Sequence, residues 1–470
     1  MKQKRCSYVG YYLPKRKIYK VFRSIIRRAV RPIVGIILVI ILCGSYLVLP
    51  GPWVGSLSQF FKSNPSLTPD GFYVRDRREF ITRYRLDPST NGSTIFREFL
   101  LYGGIDNMED FPELSGILNL FAAGIPGSYR HRAAVLCPGF RTVIGVTVST
   151  DVEEFKTKDA VVFGMMPKML AGNLATLVNK LPPVGQTWVY FSTESPFRAL
   201  RWVKDLRLAK LKYHKLMTYN ADSDIPFSFG KTVSNETSGS LRRVLSKQNY
   251  AKGKNRLIAW MASNCEEIFW PRNEFVERIR ELVRVDTYGR CGAIDCLPRG
   301  SEQCKKLLGQ YKFYLALANT ECRDYITETF WDTSLQHGIL PVVGGAPRQD
   351  FERVAPRNSF IHIGDFPSIK ELVDYLLLLD RNDAMYNKYF EWKLTTRVET
   401  HFPPKPELFC SILPHQTDAS SIVVPKVKEL GNSSWFKMCR HKVDISSAVR
   451  VRARVIDNNF DNWTPWRQQK

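Results

Sequence analysis

Short apolar runs alternating with amphipathic stretches run through the chain from about residue 133, and this alternation restricts the fold more than any other feature. Ala160–Phe163 and Trp188–Phe191 carry no charge and read as strands buried on both faces, with a helix between them over Met169–Leu181. The second half repeats the pattern, with strand candidates at Leu257–Ala262, Val285–Tyr288, Tyr311–Leu317, Ile339–Val343 and Phe360–Ile363. Between them, apolar residues recur at helical spacing at Phe275, Val276, Ile279, Leu282 and Val283. They do so again at Leu372, Tyr375, Leu376 and Leu379, where Ser368 and Glu371 form a capping box. Serial strand-helix units give parallel sheets, and two blocks of them give an α/β fold of two Rossmann-like domains facing a cleft.

The N-terminal part follows a different rule. Ile33–Leu49 carries no charge, lies between Arg31-Pro32 and Pro50-Gly51-Pro52, and with its flanks approaches the ~20 residues needed to cross a bilayer. Eleven Lys or Arg and no acid precede it within the first 31 residues. An all-round apolar helix beside such a flank reads as a transmembrane signal-anchor, with the basic tail cytosolic and everything after Trp53 luminal. The expected organisation is a cytosolic tail at 1–31, the anchor at 32–50 and a stem at 51–130, the last because Ser63–Gly71 is rich in turn residues. An acceptor-binding domain at 131–245, a donor-binding domain at 246–415 and a C-terminal extension at 416–470 complete it.

The formal net charge is +23, but without the basic tail 57 basic residues stand against 45 acidic ones, spread without a block. That remainder suits an anionic small substrate. It argues against nucleic acid, because no arginine-rich stripe with interleaved aromatics exists. Of ten cysteines, eight (Cys137, Cys265, Cys291, Cys296, Cys304, Cys322, Cys410 and Cys439) follow the span. An even set in an oxidising compartment pairs, with the connectivity left open. No zinc spacing occurs, so no metal site is expected. Sequons at Asn91, Asn235, Asn432 and Asn462 mark candidate glycosylation sites.

Five segments carry a family resemblance, in family order, over about residues 133–395. YKFYLALANTECRDYITETFW (Tyr311–Trp331) resembles the donor-binding signature of the α1,3-fucosyltransferases, glycosyltransferase family 10, of which this chain reads as a divergent member. WVYFSTESP (Trp188–Pro196), LMTYNADSDIPFSFG (Leu216–Gly230), KNRLIAWMASNC (Lys254–Cys265) and VDTYG (Val285–Gly289) are similar to its other segments. The resemblance implies a GT-B arrangement and inverting transfer of fucose from GDP-fucose, with no obligatory cofactor, to a GlcNAc-containing glycan on glycoprotein or glycolipid. It also implies a type II Golgi membrane location. The alternative is a weak or silent member that binds glycans or partner transferases.

Inverting transfer needs a carboxylate to take the acceptor's proton and cations or amides to stabilise the departing diphosphate. Glu194, just past a buried strand, matches the family's general base. Arg272, at the start of a helix after Ser263-Asn264, suits the diphosphate. The resemblance implies further donor contacts at Tyr314, Asn319, Tyr325 and Glu328, although Tyr314 sits on a strand that must also fill a core. Asp222-Ser-Asp224 reads as a turn before Pro226, not as a metal motif. Three positions depart from the family pattern: Ala318 replaces a carboxylate, Thr329 a lysine and Asn220 an arginine.

Overall fold

In the computed structural model, residues 77–84, 94–122, 129–235, 243–265, 270–296, 301–416 and 426–440 are described, all within one unit, Pro65–Lys470. The first sheet is built from β1 (Ile95–Tyr102), β2 (Arg132–Cys137), β3 (Thr142–Ser149), β4 (Ala160–Phe163) and β5 (Thr187–Ser192). After β6 (Lys212–Tyr213), which lies outside it, β7 (Lys215–Thr218) and β8 (Ile225–Pro226) complete it. The order is β2-β3-β1-β4-β5-β7-β8, parallel throughout except for β2 against β3.

Strand β1 corrects the expected stem: residues 95–122 belong to the folded head, and β1 lies inside the sheet. Arg97 and Glu98 interrupt its apolar run, which conceals it from periodicity. Glu98 is only 3% exposed, yet Lys158 Nζ and Arg83 Nη1 each donate to its carboxylate at 2.9 Å. Its backbone N–H donates to Asp159 Oδ2 at 2.7 Å, so the buried charge is paired and hydrogen-bonded. Helix α1 (Arg77–Tyr84) brings Arg83 there and lays Tyr84 over Gly145. A Cβ at Gly145 would lie 2.2 Å from that ring, so the approach requires glycine.

Helix α2 (Pro167–Leu177) joins β4 to β5, and α3 (Pro196–Val203) follows β5. Strand β9 (Gly230–Ser234) leads to the second sheet, formed by β10 (Arg256–Met261), β11 (Val285–Tyr288), β12 (Tyr311–Leu317), β13 (Leu340–Gly344) and β14 (Ile361–His362). Its order is β11-β10-β12-β13-β14, all parallel. The strands fall within a residue or two of where the sequence places them. Helices α4 (Arg272–Leu282), α5 (Glu302–Leu308), α6 (Arg348–Val354) and α7 (Ile369–Asp380) accompany them. At α7 the expected cap is present, Ser368 Oγ accepting from Glu371 N at 3.2 Å. Its buried Leu372, Val373, Leu376 and Leu379 each contribute about 1.5–3 kcal/mol against the second sheet.

The chain then returns to the first half. Strand β15 (Thr396–Thr400) pairs antiparallel with β9, and Leu408, Phe409 and Ile412 join the first sheet's core. Strand β16 (Lys428–Glu429) pairs with β6, and the Trp435 ring packs 5.1 Å from Tyr190. The break expected at 415/416 is therefore not a break in packing, since residues on both sides of it pack on the first half. Four disulfides resolve the open connectivity: Cys137–Cys410, Cys265–Cys291, Cys296–Cys304 and Cys322–Cys439. The apolar span 33–49 and the sequon residues Asn91 and Asn462 lie outside the described residues, among which no helix is long and apolar enough to cross a membrane. Asn432 is exposed and Asn235 half-buried.

Candidate active site

The carboxyl ends of β5, β10 and β12 open onto one cleft of about 720 Å³. Strand β5 stops at Ser192, and Ser195 caps α3 by accepting from Arg198 N at 3.4 Å, so Thr193 and Glu194 form the strand-to-helix turn. Ser192 Oγ accepts from Glu194 N at 3.2 Å, and Trp435 Nε1 donates to the Glu194 carbonyl at 3.0 Å. The backbone is thereby fixed from both sides and the carboxylate faces the cleft. Tyr325 OH donates to Glu194 Oε2 at 2.8 Å across 131 residues of sequence. Burial pushes the Glu194 carboxyl above the usual range and Glu328 adds to this, while Tyr325, Arg198 and the Asn319 amide pull it back. The result is an ionisable base of raised proton affinity, oriented by a phenol that stays protonated.

On the opposite wall, Arg272 opens α4 and is only 6% exposed. Its Nη1 donates to Leu317 O at 3.0 Å and its Nη2 to Asn264 O at 2.7 Å. Its buried Nε has no partner among the described residues. Burial lowers the guanidinium to about 10, which leaves it cationic at neutral pH. A pre-ordered cation at the N-terminus of an eleven-residue helix is a site for an anion.

Ser263, Asn264, Asn319, Tyr325 and Glu328 line the same cleft. Asn319 Oδ1 is buried without a partner among the described residues, an acceptor left for a ligand donor. Tyr314 does not line the cleft: it is fully buried in β12, with its OH 3.4 Å from Met261 O, so it packs behind the wall. The Tyr325 ring packs at a tilt of 45° against Tyr219, 4.6 Å between centroids, and its hydroxyl serves Glu194.

Thr329 lines the cleft, its hydroxyl 3.0 Å from that of Thr327. Ala318 also lines it, and its carbonyl accepts from Trp270 Nε1 at 2.7 Å. Asn220 is buried outside the cleft lining and donates to Asp324 Oδ2 at 3.3 Å, beside Ala221 N at 2.8 Å. Asp324 has φ +63°, and these bonds tether the turn that presents Tyr325. Asp224 lies outside the lining too, accepting from Leu216 N at 2.7 Å and pairing with Lys428. Among the described residues no group of His, Cys, Asp and Glu could hold a metal ion.

The first half contributes a wall that no spacing in the sequence marks. Phe111 and Trp202 meet edge to face at 5.7 Å, the Arg198 guanidinium lies 4.5 Å over Trp202, and Glu113 faces the same cavity. Burial, then Glu194 and Glu328, push the Glu113 carboxyl up to about 7. An aromatic face flanked by a carboxylate and a guanidinium suits a sugar ring, with its apolar face and ring of hydroxyls.

Residues 121–230 match the family described as fucosyltransferase, N-terminal, and residues 251–429 that described as glycosyltransferase family 10 (fucosyltransferase), C-term. The chain is 39% identical over 182 residues to glycoprotein 3-alpha-L-fucosyltransferase A of Drosophila melanogaster, covering 38% of this chain and 35% of that protein. It is 34% identical over 262 residues to alpha-(1,3)-fucosyltransferase 4 of Homo sapiens, covering 54% and 46%. The matched part thus spans half or less of these relatives. A crystal structure of an alpha1,3-fucosyltransferase with GDP-fucose aligns at TM-score 0.43 and 14% identity, over 74% of this chain and 97% of that one.

Proposed function

The chain belongs to glycosyltransferase family 10, the fucosyltransferases, and on that premise we propose that it is an inverting α1,3-fucosyltransferase of GT-B type using GDP-fucose. The observation that carries this reading is one cleft with an oriented carboxylate, Glu194, on one wall and a buried cation, Arg272, on the other. The acceptor hydroxyl gives its proton to Glu194 as its oxygen attacks the anomeric carbon of fucose. The bond from that carbon to the β-phosphate oxygen breaks, and GDP leaves with the electron pair. Arg272 and the α4 N-terminus stabilise the charge that develops on the diphosphate. Phe111 and Trp202 hold the acceptor sugar against Glu194. No obligatory metal is part of the reading.

The acceptor class is a GlcNAc-containing glycan on protein or lipid. The uncharged span, its basic flank and four disulfides support a single-pass type II Golgi enzyme with a luminal head. Incubation of the purified protein with GDP-fucose and a panel of GlcNAc-terminated acceptors tests the reading. GDP release coupled to a fucose mass gain on an acceptor is expected. Absence of transfer to every acceptor together with no specific GDP affinity would instead identify a silent member, the outcome that Ala318 and Thr329 make worth measuring.

A further inference from the structure

A second cleft, of about 680 Å³, opens at the carboxyl ends of β1 and β3. Strand β1 has β3 on one side and β4 on the other, so the winding of the first sheet reverses here, at the kind of switch point where α/β sheets bind ligands. Gly103 and Gly104 follow β1 directly and present bare backbone. A Cβ on Gly103 would come 2.0 Å from Met166 Cε, and one on Gly104 2.7 Å from Asn107 Oδ1. The catalytic mechanism above uses none of these groups.

The lining specifies the ligand's chemistry. Arg130, His131 and Arg132 share the lining with Asp106 and Glu154 and with Ser149 and Thr150, while Arg83, also part of it, is ion-paired with Glu79 and Glu98. An anion would meet the two carboxylates and a cation the guanidinium groups. A neutral ligand rich in hydroxyls satisfies both signs, since each hydroxyl donates to a carboxylate and accepts from an N–H.

The cleft's position specifies which ligand. Both clefts open at strand carboxyl ends of the same sheet, and the order β3-β1-β4-β5 puts them two to three strand spacings apart, about 10–14 Å at ~4.8 Å per spacing. One short segment serves both: Asp106 and Asn107 line the second cleft, while Phe111 and Glu113 line the catalytic one. We infer that the second cleft binds the distal sugars of an extended or branched acceptor oligosaccharide whose reacting end sits at Glu194. This rests on the transferase reading above and adds a size preference to it.

The test compares a GlcNAc-terminated disaccharide with a larger branched oligosaccharide ending in the same disaccharide, using the full chain and its Asp106→Ala and Arg132→Ser variants. Both substitutions are at exposed positions. Each variant is expected to raise KM for the branched acceptor about three- to tenfold, the effect of losing one or two hydrogen bonds, with kcat and the disaccharide KM unchanged. Equal changes for both acceptors, or none, overturn the inference. If the unaltered chain transfers to neither acceptor, the transferase reading fails by itself, and titration of the branched oligosaccharide onto the full chain still decides the cleft. Binding that the two variants weaken supports it, whereas absent or unaffected binding overturns it.

Discussion

Replacing Tyr325 with phenylalanine removes one hydroxyl from the site while keeping the ring that packs 4.6 Å from Tyr219 and 6.4 Å from Phe229. That hydroxyl donates to Glu194 Oε2 at 2.8 Å, a hydrogen bond that favours the ionised carboxylate. A hydrogen bond to a charged group contributes about 1.5–3 kcal/mol. At 1.36 kcal/mol per tenfold, its loss raises the carboxylate's proton affinity by roughly ten- to a hundredfold. If Glu194 is the base, activity rises with pH as it deprotonates, so the acid limb of kcat/KM moves to higher pH in Tyr325→Phe. Turnover on the acid side falls by the same factor and recovers as the pH is raised. The assay is fucose transfer at saturating GDP-fucose across the pH range, with GDP affinity measured alongside. An acid limb that stays in place while the plateau drops would refute the argument, because Tyr325 would then act on donor binding or packing and not through Glu194.

Glu194→Gln should reduce turnover at least a hundredfold, within the 10²–10⁴ range of general-base effects, with GDP affinity preserved by calorimetry; near-normal turnover removes Glu194 from the role. Glu194→Gln should also let the Glu113 carboxyl, pushed up to about 7 by burial and then by Glu194, titrate at lower pH, because the like charge is gone; a Glu113 titration that does not move, followed by carboxyl NMR, would show the two carboxylates to be uncoupled. Arg272→Ala should weaken GDP about ten- to a hundredfold with less effect on acceptor KM, and should lower stability as well, since Leu317 O and Asn264 O lose a buried donor; equal loss of donor and acceptor affinity counts against a phosphate role. Thr329→Lys should tighten GDP by about 1–2 kcal/mol at low salt and less at high salt; unchanged affinity in a folded variant means that the position does not face the diphosphate.

Much of this protein follows from local sequence. Uncharged runs such as Ala160–Phe163 and Trp188–Phe191 can only be strands sealed on both faces, and each occupies that place in a parallel sheet. The start of α7 is written in Ser368 and Glu371, because a cap involves groups within one turn of each other. Glu194 was legible because its place at the end of a buried strand already directs it into a cleft.

What the sequence left open depends on partners far along the chain. Strand β1 is hidden by Glu98, whose burial becomes tolerable only when Lys158, 60 residues on, reaches it. Tyr314 and Tyr325 look alike in the family signature, yet strand pairing seals the first behind Met261, while the turn held by Asn220 and Asp324 aims the second at Glu194. Glu113 belongs to the site only because β1 carries its segment to the same sheet edge as Glu194. Likewise the disulfides Cys137–Cys410 and Cys322–Cys439 join residues 273 and 117 apart, pairings set by the chain's return to the first half. Periodicity and capping act over a turn or a strand, so sequence alone determines them; charge compensation, cleft lining and cysteine pairing arise only when distant segments meet.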